Sequence, residues 1–150
     1  MRSCKQMPSL LVLLLLGLAF ADGPQDNIPD KVRQIPPPGV AVPDSDRAEL
    51  QKGIDELGKE IDGLRLNLKG KTKLLELLPD VQIYHNAIRY ALTYNEFHNA
   101  KEIPVAKKLL QQGMERAKSL KEGKSPWTTA TGLVVRGYVS KIDGSVQPYG

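Results

Sequence analysis

The chain has 150 residues and a formal net charge of +4, from 21 lysines and arginines and 17 aspartates and glutamates. This length allows at most one ordinary domain. The basic residues are interspersed with acidic ones along the sequence, so nucleic-acid binding, which needs clustered Lys and Arg, is not expected.

The first 21 residues have the three-part order of a secretory signal peptide. Arg2 and Lys5 give a positive start, residues 7–21 carry no charge, and residues 19–21 (Ala-Phe-Ala) form a small-x-small cleavage pattern. The apolar stretch of about 15 residues is shorter than the ~20 needed to span a bilayer. We therefore predict cleavage and export, to the periplasm or the extracellular space. An uncleaved N-terminal anchor is the alternative, and it is the one way in which we expect a membrane to be involved.

Cleavage after this pattern removes Cys4, the one cysteine of the chain. The remaining 129 residues keep 19 basic and 17 acidic residues, a net charge of +2. They contain no thiol, so neither a disulfide nor a cysteine-ligated metal is expected. Export without disulfides favours a bacterial envelope protein over a small eukaryotic secreted scaffold, which usually depends on bridges.

Residues 22–43 hold six prolines, three of them consecutive before Gly39. Proline has no amide hydrogen and a fixed φ, so this composition excludes a helix or a central strand. We predict an extended, Pro-rich linker that serves as a spacer or as a strap over the following domain. A recognition role is the less favoured alternative.

Residues 44–124 are predicted to form a module of three helices. In the first helix, apolar residues recur every three or four positions from Leu50 to Leu68. Asp46 and Glu49 have the spacing of a capping box at its start. Three glycines in its interior each cost roughly 1 kcal/mol, so this helix needs tertiary packing. The apolar seam spans less than three heptads, which favours packing within the chain over a coiled-coil dimer.

The other two helices follow Pro79 and Glu102. Asp80 is predicted to cap the second helix, which runs to about His98. The third helix is predicted to begin at Ile103–Pro104 and to end before Gly123. The apolar stripe of the second helix comprises Tyr84, Ala87, Ile88, Ala91 and Leu92.

The composition changes at residue 125, where threonine, valine and tyrosine become frequent. Asp143-Gly144 is a strong hairpin signal, and a returning strand starts at Ser145. A lone two-stranded hairpin is marginally stable in water. Residues 125–150 are therefore predicted to be the incomplete start of a β-sheet domain.

The sequence predicts no catalytic, cofactor-binding or metal-binding residues. His85 and His98 do not have the spacing of a helical zinc pair, and we interpret them as ordinary histidines. Ser125 lies in Gly-Lys-Ser-Pro-Trp, which matches part of a nucleophile elbow. Pro126 has no amide hydrogen for an oxyanion hole, so Ser125 is rejected as a nucleophile.

An aromatic group is predicted on the second helix. Its members are Tyr84, Tyr90, Tyr94 and Phe97. A platform that stacks sugars or bases is one interpretation, but helix packing is favoured because Tyr84 falls on the apolar stripe.

The run from Gly137 to Tyr149 resembles the opening hairpin of secreted bacterial α/β-hydrolases of the prolyl oligopeptidase and esterase type. It matches their Tyr-x-Ser-x-x-Asp-Gly-Ser-x-Gln-Pro-Tyr pattern over 12 of the 150 residues, from Tyr138 to Tyr149. Residues 79–85 and 125–129 are also similar to a helical N-terminal region that some of these proteins carry. The positions Tyr138, Asp143 and Gln147 are matched as structural hairpin positions only.

The resemblance implies a secreted serine hydrolase, a peptidase or an esterase, whose Ser-Asp-His triad follows Gly150. The chain is then a non-catalytic N-terminal fragment, truncated before the catalytic domain. Its expected partner is that missing catalytic domain of the same polypeptide. The alternative is a complete small exported helical protein with a binding or structural role. The oligomeric state and the choice between peptide and ester substrates stay open.

Overall fold

The computed structural model describes residues 37–150. The predicted signal peptide and residues 22–36 of the predicted linker lie outside the described residues. Three long helices and one short helix are followed by a 3-10 turn and an antiparallel hairpin, which confirms the mainly helical fold with a C-terminal β-hairpin. In chain order the elements are α1 (Asp44–Asn67), α2 (Thr72–Leu75), α3 (Pro79–Thr93), α4 (Glu102–Lys121), the 3-10 turn (Pro126–Thr128), β1 (Arg136–Val139) and β2 (Val146–Tyr149).

The core lies between α1, α3 and α4. Lys107 of α4 pairs with Asp46 near the start of α1, and Lys121 pairs with Glu60 further along, so α1 and α4 are parallel. The start of α1 reaches the end of α3, which is therefore antiparallel to both. The apolar seam predicted on α1 is buried, as expected for a helix that packs against other helices of its own chain. Its buried members are Leu50, Ile54, Leu57, Ile61, Leu64 and Leu68.

The predicted capping box at the start of α1 is wrong. The helix begins at Asp44, directly after Pro43, and no side chain caps it. Asp46 and Glu49 instead both bind the Nζ of Lys107 on α4, and these hydrogen bonds raise the pKa of Lys107, Asp46 having the larger effect. The two carboxylates that the local spacing assigned to a helix cap therefore pair with a lysine of another helix.

The boundaries of the later elements also differ from the prediction. Helix α3 ends at Thr93, short of His98, because Asn95 adopts a left-handed φ of 54° that a helix cannot contain. Pro79 is the first residue of α3, a position that suits proline. The prediction that Gly123 follows the end of α4 is confirmed, with a φ of 76°.

The described end of the Pro-rich segment lies along the loop between α3 and α4. The backbone N–H of Val40 donates to the carbonyl oxygen of Phe97 at 2.6 Å. A Cβ on Gly39 would come closer than 3.0 Å to the carbonyl oxygen of Asn95, so only glycine fits there. The guanidinium of Arg47 secures the same loop by donating to the Asn95 side chain at 2.9 Å.

Replacing Gly63 by alanine is expected to raise the free energy of unfolding by about 0.5–1 kcal/mol, because alanine is the better helix former. Nothing lies within 4 Å of its added Cβ. Gly113→Ala is the contrasting variant, since its Cβ would lie 2.7 Å from Leu57 Cδ2 and 2.9 Å from Tyr84 Cβ. We expect it to lower the free energy of unfolding by about 1 kcal/mol or more. Urea denaturation measures both values, and a stabilising Gly113→Ala would contradict this account of the packing.

Candidate functional site

Asp80 is the one charged side chain that is fully buried among residues 37–150, with 1% of its surface exposed. It is the second residue of α3. The prediction that Asp80 caps this helix is wrong, because no side chain caps α3. Leu78, the residue directly before α3, already has helical backbone angles. Its carbonyl oxygen accepts hydrogen bonds from the N–H groups of Val81 and Gln82. The first turn of α3 therefore has partners for its N–H groups without a side-chain cap, and the carboxylate is free for tertiary contacts.

The Asp80 carboxylate accepts hydrogen bonds from three residues that follow the helical bundle. Trp127 Nε1 donates to Oδ2 at 2.8 Å, and the backbone N–H of Gly137 donates to Oδ1 at 2.6 Å. Arg136 Nε lies 3.0 Å from Oδ1 and 2.9 Å from Oδ2. Hydrogen bonds that involve charged groups are among the strong ones, and a buried carboxylate is tolerated only when it is paired in this way.

Arg116 of α4 completes the cluster from the other side. Its Nη1 donates to the backbone oxygen of Asp80 at 3.0 Å. Its guanidinium carbon lies 4.9 Å from the ring centre of Tyr84 and 5.0 Å from that of Trp127, within the range of a cation–π interaction. Burial lowers the pKa of Arg116 and raises that of Tyr84.

We name Asp80, Arg116, Trp127, Arg136 and Gly137 the Asp80 node. They come from α3, α4, the 3-10 turn and β1, so a single buried carboxylate links the helical bundle to the hairpin. Chemically the node is a structural clamp. It contains no nucleophile beside a general base.

Replacing Gly137 by alanine is expected to detach the hairpin from α3. The added Cβ would lie closer than 3.0 Å to the carbonyl group of Pro79 and 2.9 Å from Ile83 Cγ2. The carbonyl is backbone of α3 and cannot move aside alone, so overpacking costs about 1–3 kcal/mol. Hydrogen exchange of the amides of residues 136–149 measures the detachment, with Gly63→Ala as the control. Unchanged exchange in Gly137→Ala would show that the close approach is not required.

The node also closes one edge of the hairpin. The N–H of Ser140 donates to the oxygen of Ser145 at 2.8 Å, and bonded pairs alternate along an antiparallel ladder. By this alternation the N–H of Gly137 points away from β2, where Asp80 accepts it. On the outer edge of β2, Val146 presents its N–H outward, whereas Pro148 has none. The edge of β1 is thus occupied at Gly137, and Val146 offers the one outward N–H of β2.

One face of the hairpin is aromatic and exposed. The rings of Tyr138 and Tyr149 are in edge-to-face contact, with their centres 6.0 Å apart, and each is about half exposed. Val139, whose side chain points to the opposite face of β1, is also about half exposed, and Ile142 at the turn is almost fully exposed. An exposed aromatic pair of this kind is typical of a surface that contacts other protein.

His85 lies on α3, half-buried against α1. Burial lowers its pKa, and the Asn86 side chain opposes that effect by hydrogen bonding. The cation of Arg89 lowers the pKa further, whereas the carboxylates of Asp55 and Asp62 raise it. The net effect keeps the imidazole neutral to lower pH than in an unfolded chain.

Because the pKa of His85 is lower in the folded state, the unfolded state binds more protons below about pH 6.5. We expect the free energy of unfolding to fall as the pH is lowered from about 7 to about 5. The His85→Gln variant should show a weaker pH dependence over this interval. Urea denaturation at several pH values measures it, with the exposed His98→Gln as the control. An identical pH dependence in both variants would contradict this role of His85.

The other sequence candidates do not converge on a site. His85 lies on α3 and His98 in the following loop, and no group of three or more metal-ligating side chains occurs within residues 37–150. The Ser125 hydroxyl lies 3.4 Å from that of Thr128, in the 3-10 turn. In the same part of the chain, no helix is long and apolar enough to cross a membrane.

The aromatic group predicted on the second helix divides into two halves. Tyr84 and Phe97 are buried in the core, as helix packing requires. Tyr90 and Tyr94 are exposed on the outer face of the bundle. The interpretation as core packing is therefore confirmed for the first pair and wrong for the second.

Sequence reasoning missed the Asp80 node altogether. One signal was available, because Asp80 interrupts an otherwise apolar stretch in which Pro79, Val81 and Ile83 are all buried. A charge in such a position is usually paired. The identity of the partners, 36 to 57 residues further along the chain, could not be read from local patterns.

Comparison with known proteins finds no family model, no curated protein and no solved structure that matches this chain. The resemblance of residues 137–149 to the hydrolase hairpin therefore stays a prediction.

Proposed function

We propose that this chain is the exported, non-catalytic N-terminal part of a secreted serine hydrolase, a peptidase or esterase of the prolyl oligopeptidase-like type. Its helical module holds the first two strands of the catalytic sheet through the Asp80 node. The observation that carries the proposal is the attachment of β1 to α3 by the buried carboxylate.

The attachment supports the proposal because an isolated two-stranded hairpin has little stability of its own. Asp80 fixes β1 at Arg136 and Gly137, and β1 packs over Pro79. The hairpin is thus held in one position before further strands are added.

The two edges of the hairpin support a direction of sheet growth. Asp80 accepts the outward N–H of Gly137, so β1 becomes an edge strand that the helical module covers. Further strands then pair with the outer edge of β2 at Val146, since Pro148 offers no N–H there. The exposed aromatic face around Tyr138 and Tyr149 is covered by the catalytic domain of the same polypeptide.

Export is proposed from the sequence pattern of residues 1–21. The mature protein then begins at Asp22 and is periplasmic or extracellular. Mass spectrometry of the protein recovered outside the cytoplasm tests this. Recovery of a chain that retains Met1 or Cys4 would show that the segment is not cleaved.

The hydrolase assignment is tested in two ways. The gene is sequenced beyond the Gly150 codon, and we expect an open frame that encodes a Gly-x-Ser-x-Gly elbow. A fluorophosphonate probe should label the longer product and leave the 150-residue chain unlabelled. A stop codon with no hydrolase frame after it would favour the alternative, a small exported helical protein with a binding or structural role. Labelling of the 150-residue chain would show that it contains a nucleophile of its own.

A further inference from the structure

A second surface, away from the Asp80 node, carries two exposed tyrosines, Tyr90 of α3 and Tyr94 directly after its end. Tyr90 and Tyr94 are 42% and 64% exposed. Their rings are stacked with the centres 6.1 Å apart and the planes 20° apart, and the Arg89 guanidinium carbon lies 4.3 Å from the centre of the Tyr90 ring. A stacked pair of aromatic side chains is therefore exposed to solvent before any ligand is present.

Tyr90, but not Tyr94, also lines a cleft of about 430 Å³ between α3 and β2. Tyr90 and Arg89 form its rim, and three amide side chains line its walls, those of Gln82, Asn86 and Gln147. Its apolar lining comprises Ile83, Ala87, Val146 and Pro148. The lining contains no carboxylate and no lysine. The volume falls within the usual range of small-molecule sites, which combine apolar walls with a few polar groups.

The amides offer both donors and acceptors to a ligand. Gln82 uses its oxygen to accept from Arg65, which leaves its NH₂ group to donate. Gln147 uses its NH₂ group to donate to the Ser145 hydroxyl, which leaves its oxygen to accept. A hydroxyl group donates one hydrogen bond and accepts others, so a ligand rich in hydroxyl groups fits this mixed set.

We propose that this cleft and the Tyr90–Tyr94 pair bind a neutral oligosaccharide. The apolar face of one sugar ring lies on the exposed side of the stacked tyrosine pair, and the hydroxyl groups of the chain bind Gln82, Asn86, Arg89 and Gln147. A single-stranded nucleic acid also stacks on aromatic rings, but it needs a groove of cations, and Arg89 is the one cation in this lining. The absence of lysine and carboxylate from the lining favours an uncharged ligand. This proposal does not depend on the hydrolase assignment.

Binding is measured on the purified chain by affinity electrophoresis in native gels that contain xylan, galactomannan, hydroxyethyl cellulose or a mixed-linkage glucan. We expect at least one of these polymers to retard the chain. The double variant Tyr90→Ala/Tyr94→Ala should lose at least about tenfold in affinity, whereas Tyr90→Phe/Tyr94→Phe should keep most of it, because the rings remain. Asn86→Ala should weaken binding without loss of the stacking rings.

Tyr138→Ala is the matched control, because Tyr138 has a similar exposure and does not line the cleft. Its affinity should equal that of the unchanged chain. Thermal melting followed by circular dichroism shows that each variant is folded. The proposal is overturned if no polymer retards the chain, or if the double alanine variant binds as tightly as the unchanged chain. Retardation by single-stranded oligo(dT) alone would assign the tyrosines to nucleic acid instead.

Discussion

Asp80→Asn is expected to lower the free energy of unfolding by about 3 kcal/mol, the lower end of what is lost when one partner of a buried ion pair is removed. Asparagine has nearly the same shape, so the change tests charge and hydrogen bonding without a cavity. Its NH₂ group must face donors on one side, where Arg136 and Gly137 now have a carboxylate oxygen. The effect is at the lower end because the Arg136 side chain is 25% exposed and can regain water.

Urea denaturation gives the total loss, and hydrogen exchange of residues 136–149 locates it. Asp62→Asn is the matched control, because Asp62 pairs with Arg65 on the surface and should change the free energy of unfolding by less than about 1 kcal/mol. Exchange should accelerate in the hairpin of Asp80→Asn and remain unchanged in Asp62→Asn. Equal stability of the two variants would contradict the role of the node as a clamp.

Trp127→Ala is expected to cost about 3–5 kcal/mol, the usual loss for a large aromatic side chain removed from a core. The indole is 7% exposed, and it supplies both the hydrogen bond to Asp80 and a ring under the Arg116 guanidinium. Its removal leaves a cavity and withdraws one donor from a buried carboxylate.

Trp127→Phe separates these two contributions. Phenylalanine retains an aromatic ring for Arg116 but has no N–H for Asp80. We expect Trp127→Phe to lower the free energy of unfolding by less than Trp127→Ala does, and its loss then reflects the missing hydrogen bond and the smaller ring. Thermal and urea denaturation measure the series. Asp80→Asn and Trp127→Ala act on one cluster, and the double variant should lose less than the sum of the single losses. Strict additivity would indicate that the two residues do not act as one unit.

The sequence was informative where a structural property depends on near neighbours. The seam from Leu50 to Leu68 and the left-handed Gly123 follow from a helical period and from backbone freedom, and both were predicted correctly. The caps at Asp46 and Asp80 were not, although the spacing was suitable. In each case the carboxylate instead pairs with a cation distant in sequence, Lys107 for Asp46 and Arg136 for Asp80.

The same distinction explains the candidate sites. The node needs partners from residues 116 to 137, which no local pattern associates with α3. The division of the aromatic residues was partly readable, because Tyr90 and Tyr94 are four positions apart and share a helix face, but Tyr84 lies on the buried one. Whether the face of α3 that carries Tyr90 is covered by other residues depends on the position of β2, and the sequence alone does not give that position.

Trp127 is the one tryptophan of the chain, and it stands in hydrogen-bonding contact with the carboxylate that holds β1. Its fluorescence is therefore a built-in optical probe of hairpin docking. Emission from the buried indole should shift to the red and become accessible to a collisional quencher such as acrylamide when the hairpin separates from α3. Docking can thus be followed in real time, without an attached dye, while a ligand or a neighbouring domain is added.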